Sequence, residues 1–385
     1  MGNYCVQNLS FSDTNTAGLK ILKELYNQTT SNITINPVSI YLTFGVLSEG
    51  LQGHTLKECS NLFKFEDSKI INSDKLRLLN EYNDLKDGQM SHWSNLIWLD
   101  KKIELHKVHQ ILLANKYKFS YERVDFGKDD GIEAARRLNG LVRAKRFNKR
   151  IIESAQISEK TKLVACSVCK FKLYWAERFN MSQSFIAMFH LSSTESINVT
   201  YMKGLKMVSC LEDDDSQMLY CSIPLSEKGL VMIYAVPLRH NFDPVLRLKM
   251  GKVISVMNRC PYRMKITVPK FRISNRVEMK EIFEECGCAS VFHRWGGKDF
   301  KRMTDQKVYL DNYFLCSQFE VDEEGDEILN KNLHTNLLNG QRLEADFDRV
   351  VQVNKPFAFF VGDSVNEIIL QAGVVRQPDV SEVRM

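Results

Sequence analysis

The spacing of apolar side chains divides the chain into a helical first half and a strand-rich second half. Apolar residues recur at helical spacing over 15–30, and the segment after Pro37 is apolar nearly all round, which indicates a helix inside a large core. Residues 132–150 predict a basic amphipathic helix. From residue 161 onward, β-branched and aromatic runs predict strands. Helices and strands segregated in this way indicate an α+β fold.

The segment between residues 89 and 125 mixes the two patterns. SHWSNLIWLD and SYERVDF have strand character, whereas KVHQILLANKYKF between them predicts a helix. No part of the chain has linker composition or an internal repeat of 20 to 50 residues. With 385 residues, of which 44% are hydrophobic, the length allows one large domain or two of medium size.

Charge and cysteine content narrow the range of partners and compartments. The 52 basic and 47 acidic side chains leave a net charge of +5, which does not indicate a nucleic-acid partner. Ten cysteines without a regular spacing are typical of thiols in a reducing compartment. The N-terminus lacks the apolar stretch of a secretory signal peptide, so the default expectation is cytoplasmic. Export by another route stays open, because five glycosylation sequons begin at Asn8, Asn27, Asn32, Asn180 and Asn198.

The first residues offer a possible lipid anchor. Gly2 and Cys5 lie where a myristoyl and a palmitoyl chain could be attached together, and two such chains would anchor the protein stably to a membrane. Position 6 is Val6, however, where the acylation pattern prefers Ser or Thr. The alternative is that residues 1–14 form a simple flexible terminus.

A series of cations lies mostly on the predicted helix over 132–150. Such a cluster could bind a sulfated polysaccharide or an anionic membrane surface, or it could be a solvated helix face. The members of this basic series are Arg136, Arg137, Arg143, Lys145, Arg146, Lys149 and Arg150.

Catalytic and metal-binding motifs are not evident in the sequence. It contains no G-x-S-x-G, no phosphate-binding glycine loop and no H-E-x-x-H. Cys166 and Cys169 have the spacing of a metal or redox pair, but residues three apart on a strand face opposite sides. We therefore expect no enzyme, no cofactor and no metal.

An ordered series of segments between residues 34 and 378 resembles the serpin family of serine protease inhibitors. The segments are NPVSI (36–40), GLQGHT (50–55), TKLVACSVCKFKLYWAERF (161–179), GLVMIYAVP (229–237), VPKFRI (268–273), FEVDEEG (319–325), VNKPF (353–357) and QAGVV (371–375). The resemblance implies one monomeric domain over 1–385, with helices packed on a large central mixed sheet, two further sheets and an exposed reactive loop at about 325–347. The divergent sequence is similar to serpins of parasitic flatworms.

The reactive loop implied by the resemblance is a bait for a serine protease. In the family mechanism the protease cuts the loop, whose first part then inserts into the central sheet as an extra strand. The bond after Arg342 suits a trypsin-like protease, since arginine pairs with a carboxylate in the specificity pocket. The expected cut is therefore between Arg342 and Leu343, and the alternative is between Asn339 and Gly340.

The segment that would insert departs from the family pattern. Its hinge comprises Glu323, Glu324, Gly325, Asp326, Glu327 and Ile328. Family inhibitors have a small hydroxyl residue and then alanines after the hinge glycine, whereas an inward-facing Asp326 would have to lose its water or gain a proton. Two interpretations follow: an inhibitor with a divergent hinge, or a non-inhibitory serpin that presents the loop as a substrate or binding module.

The resemblance also implies a set of positions that control sheet opening. They are Trp175, Ser167, Asn36, Ser39 and Leu315. Ser167 stands where the family has an asparagine, and Leu315 where it has a histidine. The usual polar contact between the two strands is therefore absent or rebuilt from other residues.

Overall fold

The computed structural model describes residues 9–65, 70–82, 91–145, 147, 149–239, 243–324 and 345–379, with backbone alone for 91, 92 and 345–349. Its helices are α1 (Ser12–Gln28), α2 (Pro37–Glu49), α3 (Gly53–Phe63), α4 (Ser73–Glu81), α5 (Lys107–Ile111), α6 (Ile132–Ala144), α7 (Met250–Met257) and α8 (Lys280–Glu285). Among the described residues, none of the helices is long and apolar enough to cross a membrane.

Fourteen strands lie in the described part of the chain, most of them where the hydrophobic pattern predicts strands. They are β1 (Ile33–Ile35), β2 (Ser91–Asp100), β3 (Ser120–Val124), β4 (Leu163–Lys172), β5 (Phe185–His190), β6 (Ser196–Asp213), β7 (Met218–Pro224), β8 (Leu230–Pro237), β9 (Tyr262–Pro269), β10 (Phe271–Glu278), β11 (Leu310–Val321), β12 (Ala345–Gln352), β13 (Phe357–Asp363) and β14 (Ile368–Val375).

The strands form one sheet of five and one of nine. The five-stranded sheet has the order β10-β11-β4-β2-β3, and β2 and β3 are parallel. The nine-stranded sheet has the order β1-β14-β13-β8-β7-β6-β9-β12, with β5 also paired to β6. The long strand β6 pairs with β7 near its end and with β5 and β9 before that, so the two further sheets that were expected share this strand.

Helix α2 is almost entirely buried, as its apolar sequence predicts. Asn36 caps its first turn, because the Asn36 Oδ1 accepts a hydrogen bond of 2.6 Å from the Ser39 amide, and Pro37 occupies a first-turn position that needs no N–H. Every residue from Pro37 to Ser48 is buried. A helix that is buried on all sides belongs to the core rather than the surface.

The basic helix ends earlier than the sequence predicts. It stops at Ala144, and the chain then returns along the helix instead of continuing to 150. The Asn139 side chain holds this return, since its Oδ1 accepts hydrogen bonds from the Ile151 and Ile152 amides at 2.7 and 3.3 Å and its amide donates to the Ile152 carbonyl at 2.8 Å. Phe147 is thereby buried in the apolar cluster under α6.

Two other predicted boundaries are wrong. The helix predicted by KVHQILLANKYKF is α-helical only as far as Ile111, and a wider π-helical turn follows. The flexible N-terminus was expected to extend to residue 14, but α1 already begins at Ser12. Phe11 is buried and its carbonyl accepts a hydrogen bond of 3.0 Å from the Asn15 amide, which fixes the start of α1.

The chain divides into two compact units. The first comprises Met1–Ile35, Phe171–Ile273 and Phe319–Met385, and the second comprises Asn36–Lys170 and Ser274–Gln318. The single domain over 1–385 stays a prediction.

In the first unit, Asn15 of α1 supports the turn before β14. Its Nδ2 donates to the Glu367 carbonyl at 2.7 Å and its Oδ1 accepts from the Ile369 amide at 2.9 Å. We expect Asn15→Ala to destabilise the protein by about 1–3 kcal/mol, because it leaves buried backbone groups without partners. Thermal unfolding followed by circular dichroism measures this loss. Thr16→Ala, an exposed neighbour on the same helix, should leave the midpoint unchanged, and equal midpoints for the two variants would contradict the assignment.

Candidate functional site

In the first unit, the chain that leaves β11 is held by hydrogen bonds donated to three of its consecutive backbone carbonyls. The Trp175 indole N–H donates to the Asp322 carbonyl at 2.7 Å, the Phe179 amide to the Glu323 carbonyl at 3.1 Å, and the Trp175 amide to the Glu324 carbonyl at 3.0 Å. The Trp175 ring is fully buried and packs edge-to-face on Phe179 at 5.3 Å. We call this arrangement the exit clamp: Trp175, Phe179 and the carbonyls of residues 322–324.

The same three residues, Asp322, Glu323 and Glu324, also have paired acidic side chains. Lys172 Nζ lies 3.3 Å from Asp322 Oδ2 and 2.8 Å from Glu324 Oε2. Glu323 Oε2 lies 2.7 Å from Lys270 Nζ, and its Oε1 accepts a hydrogen bond of 2.6 Å from the Ser184 hydroxyl. Both the backbone and the side chains therefore fasten the last residues before Gly325.

The ionisation of Glu323 is set by these contacts. Burial alone would raise the pKa of its carboxyl group, but the ion pair with Lys270 and the hydrogen bond from Ser184 outweigh burial and lower the pKa. Glu323 is thus a carboxylate at neutral pH, and its side chain is only 6% exposed, against 54% for Glu324.

In the second unit, Ser167 on β4 is the centre of a buried hydrogen-bond network. Its hydroxyl donates to Asn95 Oδ1 at 2.8 Å, and Asn95 Oδ1 also accepts from the Ser39 hydroxyl. Ser167 Oγ lies 2.8 Å from the Tyr313 hydroxyl on β11 and 3.3 Å from Thr43 Oγ1. We call these five side chains the Ser167 network.

The direction of the hydrogen bond between the two strands follows from counting protons. Ser167 has one hydroxyl hydrogen, and Asn95 Oδ1, which can only accept, takes it. The Tyr313 hydroxyl must then donate to Ser167. At this point the polar contact between β4 and β11 therefore consists of a tyrosine donor and a serine acceptor.

The other residues expected to control opening of the sheet have different environments. Asn36 caps α2 and directs its Nδ2 to Cys169 Sγ at 3.5 Å. Leu315 is fully buried and apolar. Because side chains alternate along a strand, Tyr313 and Leu315 share one face of β11, and the tyrosine makes the contact from two residues earlier.

The bait itself lies outside the described residues. This holds for Gly325, Asp326, Glu327, Ile328, Asn339, Gly340, Arg342 and Leu343, and equally for Gly2, Cys5 and Arg146. The expected end of the loop at about 347 is wrong, because β12 begins at Ala345. The pairing of β12 with β9 is irregular: Ala345 pairs with Arg263 and Val350 pairs with Lys265.

Several cations of the basic series already have protein partners. Arg137 lies 2.8 Å from Glu122, Arg150 lies 3.0 Å from Glu153, and Lys149 donates to the Ser274 carbonyl at 2.8 Å. Arg136 and Arg143 are exposed, and Lys145 is half-buried. The surface around α6 is therefore less positive than the sequence alone indicates.

Sequence reasoning missed the partners in both arrangements. It did not find Lys172, Lys270 and Ser184 at the exit clamp, or Asn95, Thr43 and Tyr313 around Ser167. The run of three acids at 322–324 indicates that cations are needed nearby, but the residues that supply them are distant in the sequence. No local pattern identifies them.

A family model described as Serpin (serine protease inhibitor) matches residues 12–378. The chain therefore belongs to the serpin family. Its fold, with helices on a large sheet and additional sheets, is the serpin fold, which confirms the expected fold class.

Comparison with individual proteins supports the family assignment. Serpin B5 of Xenopus tropicalis is 21% identical over 93% of this chain and 96% of its own. A serine protease inhibitor of Cyanea capillata is 22% identical over 90% of this chain and 92% of its own. The crystal structure of Manduca sexta serpin-12 superposes with a TM-score of 0.82 at 18% identity, covering 96% of this chain and 99% of that one.

The exit clamp predicts that Glu323 stabilises the protein through its charge. Glu323→Gln should lower stability by about 1–3 kcal/mol at pH 7, since it removes a buried charge-assisted pair. Glu324→Gln is the matched control, and it should cost less than about 1 kcal/mol because its ion pair is solvent-exposed. Thermal unfolding of both variants measures the difference.

The ion pair between Glu323 and Lys270 also predicts how the stability difference between the wild type and Glu323→Gln depends on pH. The folded pKa of Glu323 is lowered, so its contribution is complete above the unfolded pKa of about 4.3 and is lost as the pH falls through the folded pKa. The difference in melting temperature between the wild type and Glu323→Gln should therefore shrink below about pH 4.3. A difference that is constant from pH 7 to pH 3 would contradict an ionised Glu323.

The Ser167 network predicts a specific role for the Tyr313 hydroxyl. Tyr313→Phe should destabilise the protein by about 0.5–1.5 kcal/mol, because it removes the donor to Ser167. Tyr234→Phe is the control: in the described part of the chain its buried hydroxyl has no hydrogen-bond partner. That variant should unfold at the wild-type temperature or slightly above it. If Tyr313→Phe were the more stable of the two, the donor assignment would be wrong.

Proposed function

We propose that this serpin inhibits a trypsin-like serine protease as a suicide substrate. The observation that carries the proposal is the exit clamp, which fastens the chain by three carbonyls and three paired carboxylates immediately before the loop that would hold the bait. A loop anchored at its start can be presented to a protease while its first residues stay beside the end of β11. The serpin family membership supplies the reaction class.

The proposed reaction begins with attack of the protease serine on the carbonyl carbon of Arg342. The bond to the Leu343 nitrogen breaks, Leu343 leaves as a free amine, and an ester joins Arg342 to the protease. The freed arm, which starts at Gly325, then becomes a strand beside β11. Cleavage thus releases free energy that the intact loop keeps trapped.

Strand order limits where the arm can enter the five-stranded sheet. β11 has β10 on one side and β4 on the other, so a new neighbour must displace one of them. On the β4 side it must separate the hydrogen bond between Tyr313 and Ser167. We propose that the arm enters on this side and that the Ser167 network sets part of the barrier.

The choice of Arg342 rests on its chemistry. A guanidinium group forms a charge-assisted pair with a carboxylate in the pocket of a trypsin-like protease, which neither Asn339 nor Gly340 can do. The alternative function is a non-inhibitory serpin that only presents the loop. Asp326 favours it, since an inserted carboxylate would have to be paired or protonated.

Incubation with trypsin tests the proposal. We expect a band at the summed mass of both proteins on a denaturing gel, and a released peptide that begins at Leu343. Arg342→Ala should abolish the band with trypsin, whereas Asn339→Ala should keep it. Complete cleavage after Arg342 without the heavy band would favour the non-inhibitory alternative, and a peptide that begins elsewhere would exclude Arg342 as the bait.

The remaining expectations stay predictions of this proposal. They are a monomeric single domain, binding of a sulfated polysaccharide or anionic membrane by the basic series, acylation at Gly2 and Cys5, a cytoplasmic or non-conventionally exported location, and the similarity to flatworm serpins.

A further inference from the structure

Two buried thiols of the second unit lie in direct contact although they are far apart in sequence. Cys59 is on α3 and Cys288 follows α8, and their sulfur atoms are 3.2 Å apart. Both side chains are completely buried. All nine cysteines among the described residues are in the thiol form.

Several hydrogen bonds hold the two segments in register around this contact. The Ser290 amide, two residues after Cys288, donates to Oε2 of Glu58, which directly precedes Cys59, at 2.7 Å. Asp299 Oδ2 accepts from the Thr55 amide at 3.1 Å and from the Thr55 hydroxyl at 2.7 Å. Gly287 has a φ of +82°, which suits glycine and turns the chain from α8 toward Cys288. The contact is therefore built into the fold and does not depend on one flexible side chain.

We propose that Cys59 and Cys288 form a disulfide when the chain folds in the presence of a small disulfide oxidant such as glutathione disulfide. One sulfur–sulfur bond forms in the protein and one breaks in the oxidant. Two electrons pass from the cysteines to glutathione, and the two thiol protons end on the two released glutathione molecules. The product ties α3 to the segment that joins β10 to β11.

The timing of this step follows from the surroundings of Cys288. The hydrogen bond with Cys59, burial and the nearby Glu58 carboxylate all raise the pKa of Cys288, so the folded protein keeps it as a thiol at neutral pH. Thiolates are the species that exchange with disulfides, and they need access to the oxidant. Exchange therefore occurs while the chain is folding, and the folded protein resists it. The redox state of the compartment where the chain folds then decides between dithiol and disulfide.

Other cysteines provide competitors and controls. Cys286 is also buried and lies two residues before Cys288, so it is the nearest competitor for Cys59. Cys210 and Cys221 face each other across β6 and β7. Cys260 is exposed and would form mixed disulfides, so it is replaced in all test proteins together with Cys5.

The test is refolding of the Cys5→Ser/Cys260→Ser protein from denaturant, in glutathione buffers that are either oxidising or reducing. Remaining thiols are alkylated, and proteolytic peptides are identified by mass spectrometry. We expect the oxidised sample to contain a peptide pair that joins Cys59 to Cys288 and has lost two hydrogen atoms. Its melting temperature should be roughly 5 °C above that of the reduced sample, because the disulfide closes a very long loop.

Variants assign the bond. Cys59→Ala and Cys288→Ala should each lack the linked peptides and the thermal shift, whereas Cys286→Ala and Cys210→Ala should retain both. The proposal is overturned if both thiols are fully alkylated after oxidative refolding, or if Cys59 is linked to Cys286 instead. Because the readout is a peptide map of the parent protein, poor folding of one variant does not obscure the result. Protease inhibition is not measured, so the outcome is independent of the proposed function.

Discussion

The hydrogen bond from Tyr313 to Ser167 is a buried polar side-chain contact between β11 and β4, and the proposed mechanism depends on it. It lies in the core, where a polar group separated from its partner loses far more than one exposed to water. Ser167 is also tied to Asn95, which in turn binds Ser39 of α2. Separating the two strands therefore disturbs a connected set of buried groups rather than one bond. In the proposed mechanism, such a network favours a closed sheet until a new strand replaces the lost contacts.

The exit clamp holds the start of the loop, whereas the Ser167 network holds the sheet into which the arm would insert. Each of the carbonyls of residues 322–324 has a donor, and each of the carboxylates has a cation or hydroxyl partner. An arm that moves into the sheet must keep or exchange these bonds at its root. Glu323 is held more firmly than Glu324, because its side chain is buried with Lys270 and Ser184, whereas the Glu324 side chain is exposed to water. The proposed insertion would therefore leave the residues up to Glu324 in place.

The sequence predicts the order of elements well, since that order depends on local periodicity. The buried helix α2 is an example, and Ser167 could be placed through the family resemblance. Tyr313 could not, because its role arises only when two strands that are distant in sequence become neighbours. The end of α6 depends on Asn139, whose bonds to Ile151 and Ile152 are likewise non-local. The start of β12 was missed because pairing with β9, rather than an apolar pattern, defines that strand.

The proposed inhibitory mechanism requires the native chain to be a trapped state which gains stability when its loop is cut. Thermal unfolding of the intact protein and of the protein cleaved once in the loop tests it most directly. Insertion of the arm as a new strand should raise the melting temperature far beyond the few degrees that a single contact contributes. An unchanged melting temperature after cleavage would show that the arm does not insert and would contradict the inhibitory mechanism.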